Sequence, residues 1–300
     1  MDMTHNKCCR HGANLRRRRR RRRKILRSII FSYSIIAVAV FVAVGSSMIR
    51  SGDGGTNRYD VEAGNNTYDN AVIENSKISE KNKIQNNQSM LDDIMNSTQY
   101  PKQLKDLALK NEEALEFVYD YPAEHVKEHT IDLTEEASMD SVPLFVQWDK
   151  RWGYEKYSGN FFAASGCGPT TLSMVVVYLT HNREASPIAV AKYSKEAGYS
   201  VDGSGSSWTL ISEGCMHYGV KAKAVALDES RMKAELDEGH PIVVNVGPGD
   251  FTDTGHFMVI TGYDDEGFSI NDPNSIEKSG KRWLFKNISS QIRAVWSMYV

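Results

Sequence analysis

Ser165-Gly166-Cys167-Gly168-Pro169-Thr170-Thr171-Leu172 sets a cysteine at the mouth of a helix, and residues 172–179 behind it are apolar almost all round. A proline is tolerated in a first helical turn, where its missing N–H would have had no partner, and a helix apolar on every side belongs inside a core. The spacing therefore predicts a buried helix that starts at Cys167. Unpaired N–H groups and the positive end of the dipole at a helix start favour thiolate over thiol, and the thiolate is the nucleophile. A reactive sulfur on a core helix is the first expectation.

Further helical signals follow in the chain: 187–197 with Ser186 as cap and Gly198 as stop, 208–218 stopped by Gly219, and 229–238 stopped by Gly239. Strand signals lie at 220–226, 242–246, 256–263, 267–272, 282–285 and 295–300. Helices first and strands afterwards argue an α+β fold in which an antiparallel sheet packs on the buried helix. Residues 140–300 have the size of one ordinary domain.

Upstream, Pro101 opens a helical stretch in which Leu104, Leu107, Ala108, Leu115 and Val118 fall near helical spacing, ending before Pro122. Residues 100–139 are read as a helical segment and link. They decorate the main domain, or they form an inhibitory prosegment, and a single apolar stripe favours the first. Residues 50–99 are rich in Asn, Ser, Asp, Gly, Lys and Glu, with too little apolar surface to offset the entropy of ordering, and are read as a flexible stalk.

Residues 1–27 carry twelve Lys and Arg against a single Asp, while the whole chain has a net charge of −2, so a basic head precedes an acidic body. Residues 28–49 contain no charged side chain. That length matches a membrane crossing, and a basic flank stays cytoplasmic, which puts the body outside the cytoplasm. A cleaved secretory signal is the alternative, with small residues at Ala43-Val44-Gly45. The arginines also have a nucleic-acid reading, which their position against the apolar span weakens, so no nucleic-acid partner is expected. Cys8 and Cys9 fall in the head, leaving Cys167 and Cys215 in the body. A bridge between those two is open in an oxidising compartment and would abolish the nucleophile.

A thiolate nucleophile needs a base within hydrogen-bond reach and a third group to orient that base. Of His181, His217, His240 and His256, strand arithmetic favours the last. If Asp264-Asp265-Glu266-Gly267 is the turn of an antiparallel hairpin, His256 and Asp272 lie eight residues either side of Asp264 and emerge at one end of the ladder. Asp272 is then expected to accept the Nδ1–H of His256 and to hold the imidazolium. A slip of one residue would send the two side chains to opposite faces. His181 and His217 follow helix ends, where a cation suits the dipole, and His240 sits in a turn before Pro241.

Gly166-Cys167-Gly168-Pro169-Thr170, the upstream Gln147-x-Asp149-x-x-Trp152, the strand from Gly255 to Asp264 and the corner Asn271-Asp272-Pro273 together resemble the bacterial papain-like cysteine peptidases of the bacteriocin-processing type, in their free-standing C39-like branch. The resemblance covers about residues 140–300. It implies a two-layer papain-like fold, peptide-bond hydrolysis, and a triad of Cys167 as nucleophile, His256 as base and Asp272 as orienting acid. It also implies that Gln147 is the oxyanion-hole glutamine, joined by the backbone N–H of Cys167. Gln147 lies twenty residues before Cys167, farther than in the leader-cleaving members, so the loop 153–164 must fold back for its amide to reach.

No metal or organic cofactor is required for this chemistry. The cysteine and histidine spacing makes no zinc pattern, no Gly-rich phosphate loop is present, and Asp250-Phe251-Thr252-Asp253 has too few spaced carboxylates for calcium. The expected protein is an exported, membrane-anchored, monomeric thiol hydrolase acting on a peptide or protein. Its rivals are a catalytically silent surface-binding module and an acyl transferase on the same fold.

Overall fold

A computed structural model describes residues 67–300, with side chains from residue 79 onward. The basic head, the 28–49 stretch and residues 50–66 lie outside the described residues. Among the described residues no helix is long and apolar enough to cross a membrane. The order of elements is helical first: α1 (Thr67–Asn96), α2 (Lys102–Lys110), α3 (Leu115–Tyr119), α4 (Cys167–Thr180), α5 (Pro187–Glu196) and, after the first sheet strand, α6 (Glu229–Asp237). The sheet strands are β1 (Lys221–Ala224), β2 (Ile242–Val246), β3 (His256–Asp264), β4 (Gly267–Asn271), β5 (Arg282–Trp283) and β6 (Ile292–Tyr299).

These six strands form one antiparallel sheet in the order β1-β6-β2-β3-β4-β5. Alternation along the strands sorts its two faces. Val243, Phe257, Val259, Trp296 and Met298 share a core with Leu172, Met174 and Val175 of α4, while Ile242, Val244, Met258 and Ile260 share another with Met232 and Leu236 of α6. Helix α4 is buried from Gly168 to Val177, as its composition requires. The architecture is the expected α+β.

Local signals place the helix starts. The Ser186 hydroxyl accepts the Ala189 N–H at the start of α5, and the Asp228 carboxylate accepts the Arg231 N–H at the start of α6. The segment 208–218 is less regular than its pattern: a turn of helix at Thr209–Ser212 gives way to a 3₁₀ turn at Gly214–Tyr218.

Two expectations are corrected. Residues 67–96 are helical where composition pointed to a flexible stalk. Toward the end of that helix Met90, Leu91 and Ile94 pack against the α2–α3 cluster, so tertiary contact supplies what composition lacked. The β3–β4 hairpin is also not centred on Asp264. Asp264 pairs with Gly267, which makes Asp265-Glu266 the turn, and the register then slips at Thr261, so that Ile260 faces Ile270 and Val259 faces Asn271. Without that bulge the ladder would put Asp272 on the face opposite His256. With it, continuing the register sets Asp272 across from Met258, two residues from His256 and on the same face.

Candidate active site

Cys167 is the first residue of α4, and Gly166 before it has left helical geometry. The helix start holds its position by close packing: a Cβ on Gly168 would lie 2.5 Å from the Ser206 hydroxyl oxygen. The Thr171 hydroxyl donates to the Phe257 carbonyl at 3.1 Å, tying the first turn of α4 to β3 beside His256. His256 opens β3 opposite Val246, and its carbonyl accepts the Asn245 side-chain amide at 3.2 Å.

The structure brings Cys167, His256 and Asp272 into one series. His256 Nε2 lies 2.7 Å from Asp272 Oδ1, with both side chains buried. The carboxylate therefore takes Nε2 and not the expected Nδ1. Asp272 sits just past the end of the ladder, and the other ring nitrogen is left for the Cys167 thiol, to which His256 hydrogen-bonds. Burial pushes the Cys167 thiol up, but the hydrogen bond and charge of His256 outweigh it, with help from the Phe257 and Gly168 backbone, and the thiol ends below its ordinary value of 9.0. Burial pulls His256 down, yet the Asp272 charge and hydrogen bond and the Cys167 sulfur raise it to about 10. Both shifts favour the thiolate–imidazolium pair.

Asp272 Oδ1 also accepts the Asn274 N–H at 2.8 Å, and the Asp272 N–H donates to the Ser279 hydroxyl at 2.9 Å. Its Oδ2 is buried with no hydrogen-bond partner.

Gln147 is buried, and the loop before Cys167 does fold back to it. Lys156–Tyr157 pairs with Asn160–Phe161 across Ser158-Gly159, both with positive φ, the turn type that suits a two-residue hairpin and for which Gly is the natural second residue. The Ala163 N–H then bonds Gly153, and the Ala163 carbonyl accepts Gln147 Nε2 at 2.7 Å. An amide nitrogen carries two hydrogens, so one remains for another acceptor. The Gln147 backbone N–H donates to the Pro273 carbonyl at 2.7 Å, joining it to the Asp272 corner. Gln147, Cys167 and His256 line one cleft of about 500 Å³, together with Gln103, Asp106, Leu107 and Lys110 of α2 and with the loop 249–255.

The other histidines are occupied elsewhere. His181 Nδ1 meets the Ala137 carbonyl at 2.7 Å, His217 stacks on Tyr193 with ring centres 4.0 Å apart, and His240 pairs with Glu235 at 3.0 Å. Cys167 and Cys215 are both free thiols; burial pushes Cys215 up to about 11. Among the described residues no group of three His, Cys, Asp or Glu converges as a metal site. Asn274, Ser279, Asn111 and Glu113, which support the Asp272 corner, escaped sequence reasoning. Ser275 as a helix cap is legible before Ile276–Ser279, but its bond to Glu113 joins residues 162 positions apart.

A family model described as the Peptidase_C39 like family matches residues 139–300. The chain belongs to that family. Among solved structures, this C39-like chain is similar to the peptidase domain of Streptococcus ComA, a bi-functional ABC transporter involved in a quorum sensing pathway, at 19% identity over 45% of this chain and 90% of that one, with a TM-score of 0.36. It is also similar to a candidate C39-like peptidase from Bacillus anthracis, at 18% identity over 53% and 95% of the two chains, with a TM-score of 0.33. No curated protein matches it.

Proposed function

We propose that this C39-like chain is a cysteine peptidase or amidase that hydrolyses peptide bonds through Cys167, His256 and Asp272. The observation that carries the reading is the series of a half-buried thiol, a buried imidazole and a buried carboxylate, opening on a cleft at the start of a core helix. The Cys167 thiolate attacks the substrate carbonyl. The oxyanion that forms is held by the Cys167 backbone N–H and the free N–H of Gln147. His256, protonated and oriented by Asp272, gives its proton to the leaving amine, and water, deprotonated by the now neutral ring, hydrolyses the thioester. Membership of a peptidase family supports a peptide or protein as substrate.

The basic head followed by the uncharged stretch 28–49 supports an exported domain, anchored with its N-terminus cytoplasmic.

The test uses the full chain with cysteine alkylation read peptide by peptide. Cys167 reacts with iodoacetamide at neutral pH on the order of a hundredfold faster than Cys215, whose burial keeps it protonated. Cys167→Ala abolishes hydrolysis of a peptide library. Equal, slow alkylation of the two thiols would sink the proposal. Partner binding that survives Cys167→Ala with no turnover of any peptide would mark a silent binding module, and a crosslinked product in place of free acid would mark a transferase.

A further inference from the structure

Residues 94–118 precede the family-matched span, yet they touch both halves of the candidate site. Leu104, Leu107, Leu115 and Val118 share an apolar cluster with Phe161 and Ala163, just before the nucleophile. The Asn111 and Glu113 side chains reach the other half, the corner that carries Asp272.

There the Asn111 amide donates to the Asn274 carbonyl at 2.9 Å and to its side-chain oxygen at 3.0 Å. The Glu113 carboxylate accepts the Ser275 hydroxyl, the Ile276 N–H at 2.7 Å and the Glu277 N–H at 3.1 Å. Asn111 Oδ1 accepts the Glu113 backbone N–H at 3.0 Å, which ties the Asn111 side chain to the backbone that carries Glu113. Asn274 is the link. Its N–H holds the Asp272 carboxylate at 2.8 Å while Asn111 holds its carbonyl. Asp272 bridges to Ser275 of its own turn, and the Gln147 N–H on the Pro273 carbonyl and the Trp148 indole on the Asn274 carbonyl at 3.2 Å hold the same corner beside Asn111 and Glu113.

We infer that Glu113 and Asn111 are positioning residues, which clamp the turn after Asp272 so that the carboxylate meets the His256 ring. This rests on the proposed triad, and it makes the segment before the family-matched domain a working part of the site.

The experiment compares the full chain with Glu113→Ala, Glu113→Gln and Asn111→Ala, using the pH profile of Cys167 alkylation by iodoacetamide, peptide hydrolysis and thermal unfolding. The charged groups around the pair are Asp106 and Lys110 of α2, Asp250 and Asp253 of the loop, and Lys278 beyond the turn, and all stay unchanged. A displaced Asp272 stabilises the imidazolium less, so the thiolate forms at higher pH. In Glu113→Ala the alkylation profile moves up by about one pH unit and kcat falls about tenfold, while KM stays within about twofold. Asn111→Ala moves both the same way, and Glu113→Gln, which keeps an acceptor oxygen, lies between. A lowered Tm with an unchanged alkylation profile and kcat in Glu113→Ala and Asn111→Ala overturns the inference and leaves the triad standing. A Cys167 that alkylates in the unmodified chain no faster than an ordinary thiol overturns the triad, and the inference with it.

Discussion

Replacing Asp272 by asparagine separates what the carboxylate's shape does from what its charge does. Asp272 Oδ1 accepts both the His256 ring at 2.7 Å and the Asn274 N–H at 2.8 Å, and an asparagine oxygen can accept the same pair. The orientation of the ring therefore survives in Asp272→Asn. The charge does not, and a charge-assisted hydrogen bond is roughly twice as strong as a neutral one. Halving a bond worth ~2–3 kcal/mol removes about 1–1.5 kcal/mol of imidazolium stabilisation, close to tenfold in kcat/KM. The new NH₂ also falls where Oδ2 now sits without a partner, leaving a buried donor unpaired at a cost of about 1–3 kcal/mol in stability. Asp272→Ala loses the whole bond and the hold on the ring, so kcat/KM falls by about 10²-fold or more. The assays are peptide hydrolysis and Cys167 alkylation, each followed across pH. The thiol is lowered from 9.0 and the ring is raised to about 10, so hydrolysis rises as pH climbs through the thiol's value and falls as pH passes that of the ring. In Asp272→Asn the upper limb moves down, because the ring gives up its proton sooner. Identical profiles in the unmodified protein and in both variants would refute the reasoning, as would an alanine variant no slower than the asparagine one.

Gln147→Ala removes the proposed side-chain oxyanion donor and lowers kcat by about 10²–10³-fold with KM little changed; an unaltered kcat in steady-state assays removes Gln147 from the mechanism. Gly168→Ala forces a Cβ to within 2.5 Å of the Ser206 hydroxyl oxygen and 2.7 Å of its Cβ. That overpacking costs about 1–3 kcal/mol and lowers Tm by several degrees in calorimetry, and an unchanged Tm contradicts the close approach.

The parts of the site that the chain announces are those set by neighbours within one turn or strand. Cys167 at a helix mouth follows from Pro169 and the apolar run behind it, and Ser186 caps the next helix by accepting the N–H three residues on. His256 stands at the start of a strand whose alternation is plain in the sequence. The pairing of His256 with Asp272 was legible only in part. The turn lies at Asp264–Gly267 as read, but equal counting from Asp264 misplaces the register, and the bulge at Thr261 restores the face that an unbroken ladder would have lost. Gly262, an isolated glycine inside the strand next to the slip, is the one residue there that signals a bulge. The ring nitrogen used was beyond reach as well: that Nε2 meets Oδ1 is set by a ring orientation no sequence pattern records. Helix α1 shows the opposite failure, since a polar composition hid a segment that its last turns dock in place.

By itself the sequence determined the α+β class, the buried helix with a cysteine at its head, the strand that starts at His256 and the family to which residues 139–300 belong. Those depend on local propensity and on hydrophobic period, which are written residue by residue. Tertiary structure decided that Gln147 reaches the cleft by a loop folded back onto Ala163. It also set Asp272 on the same face as His256, and let Asn111 and Glu113 grip the turn behind it. Each of those depends on groups far apart in the chain meeting within a hydrogen bond's length, and only the packed core fixes distances that fine.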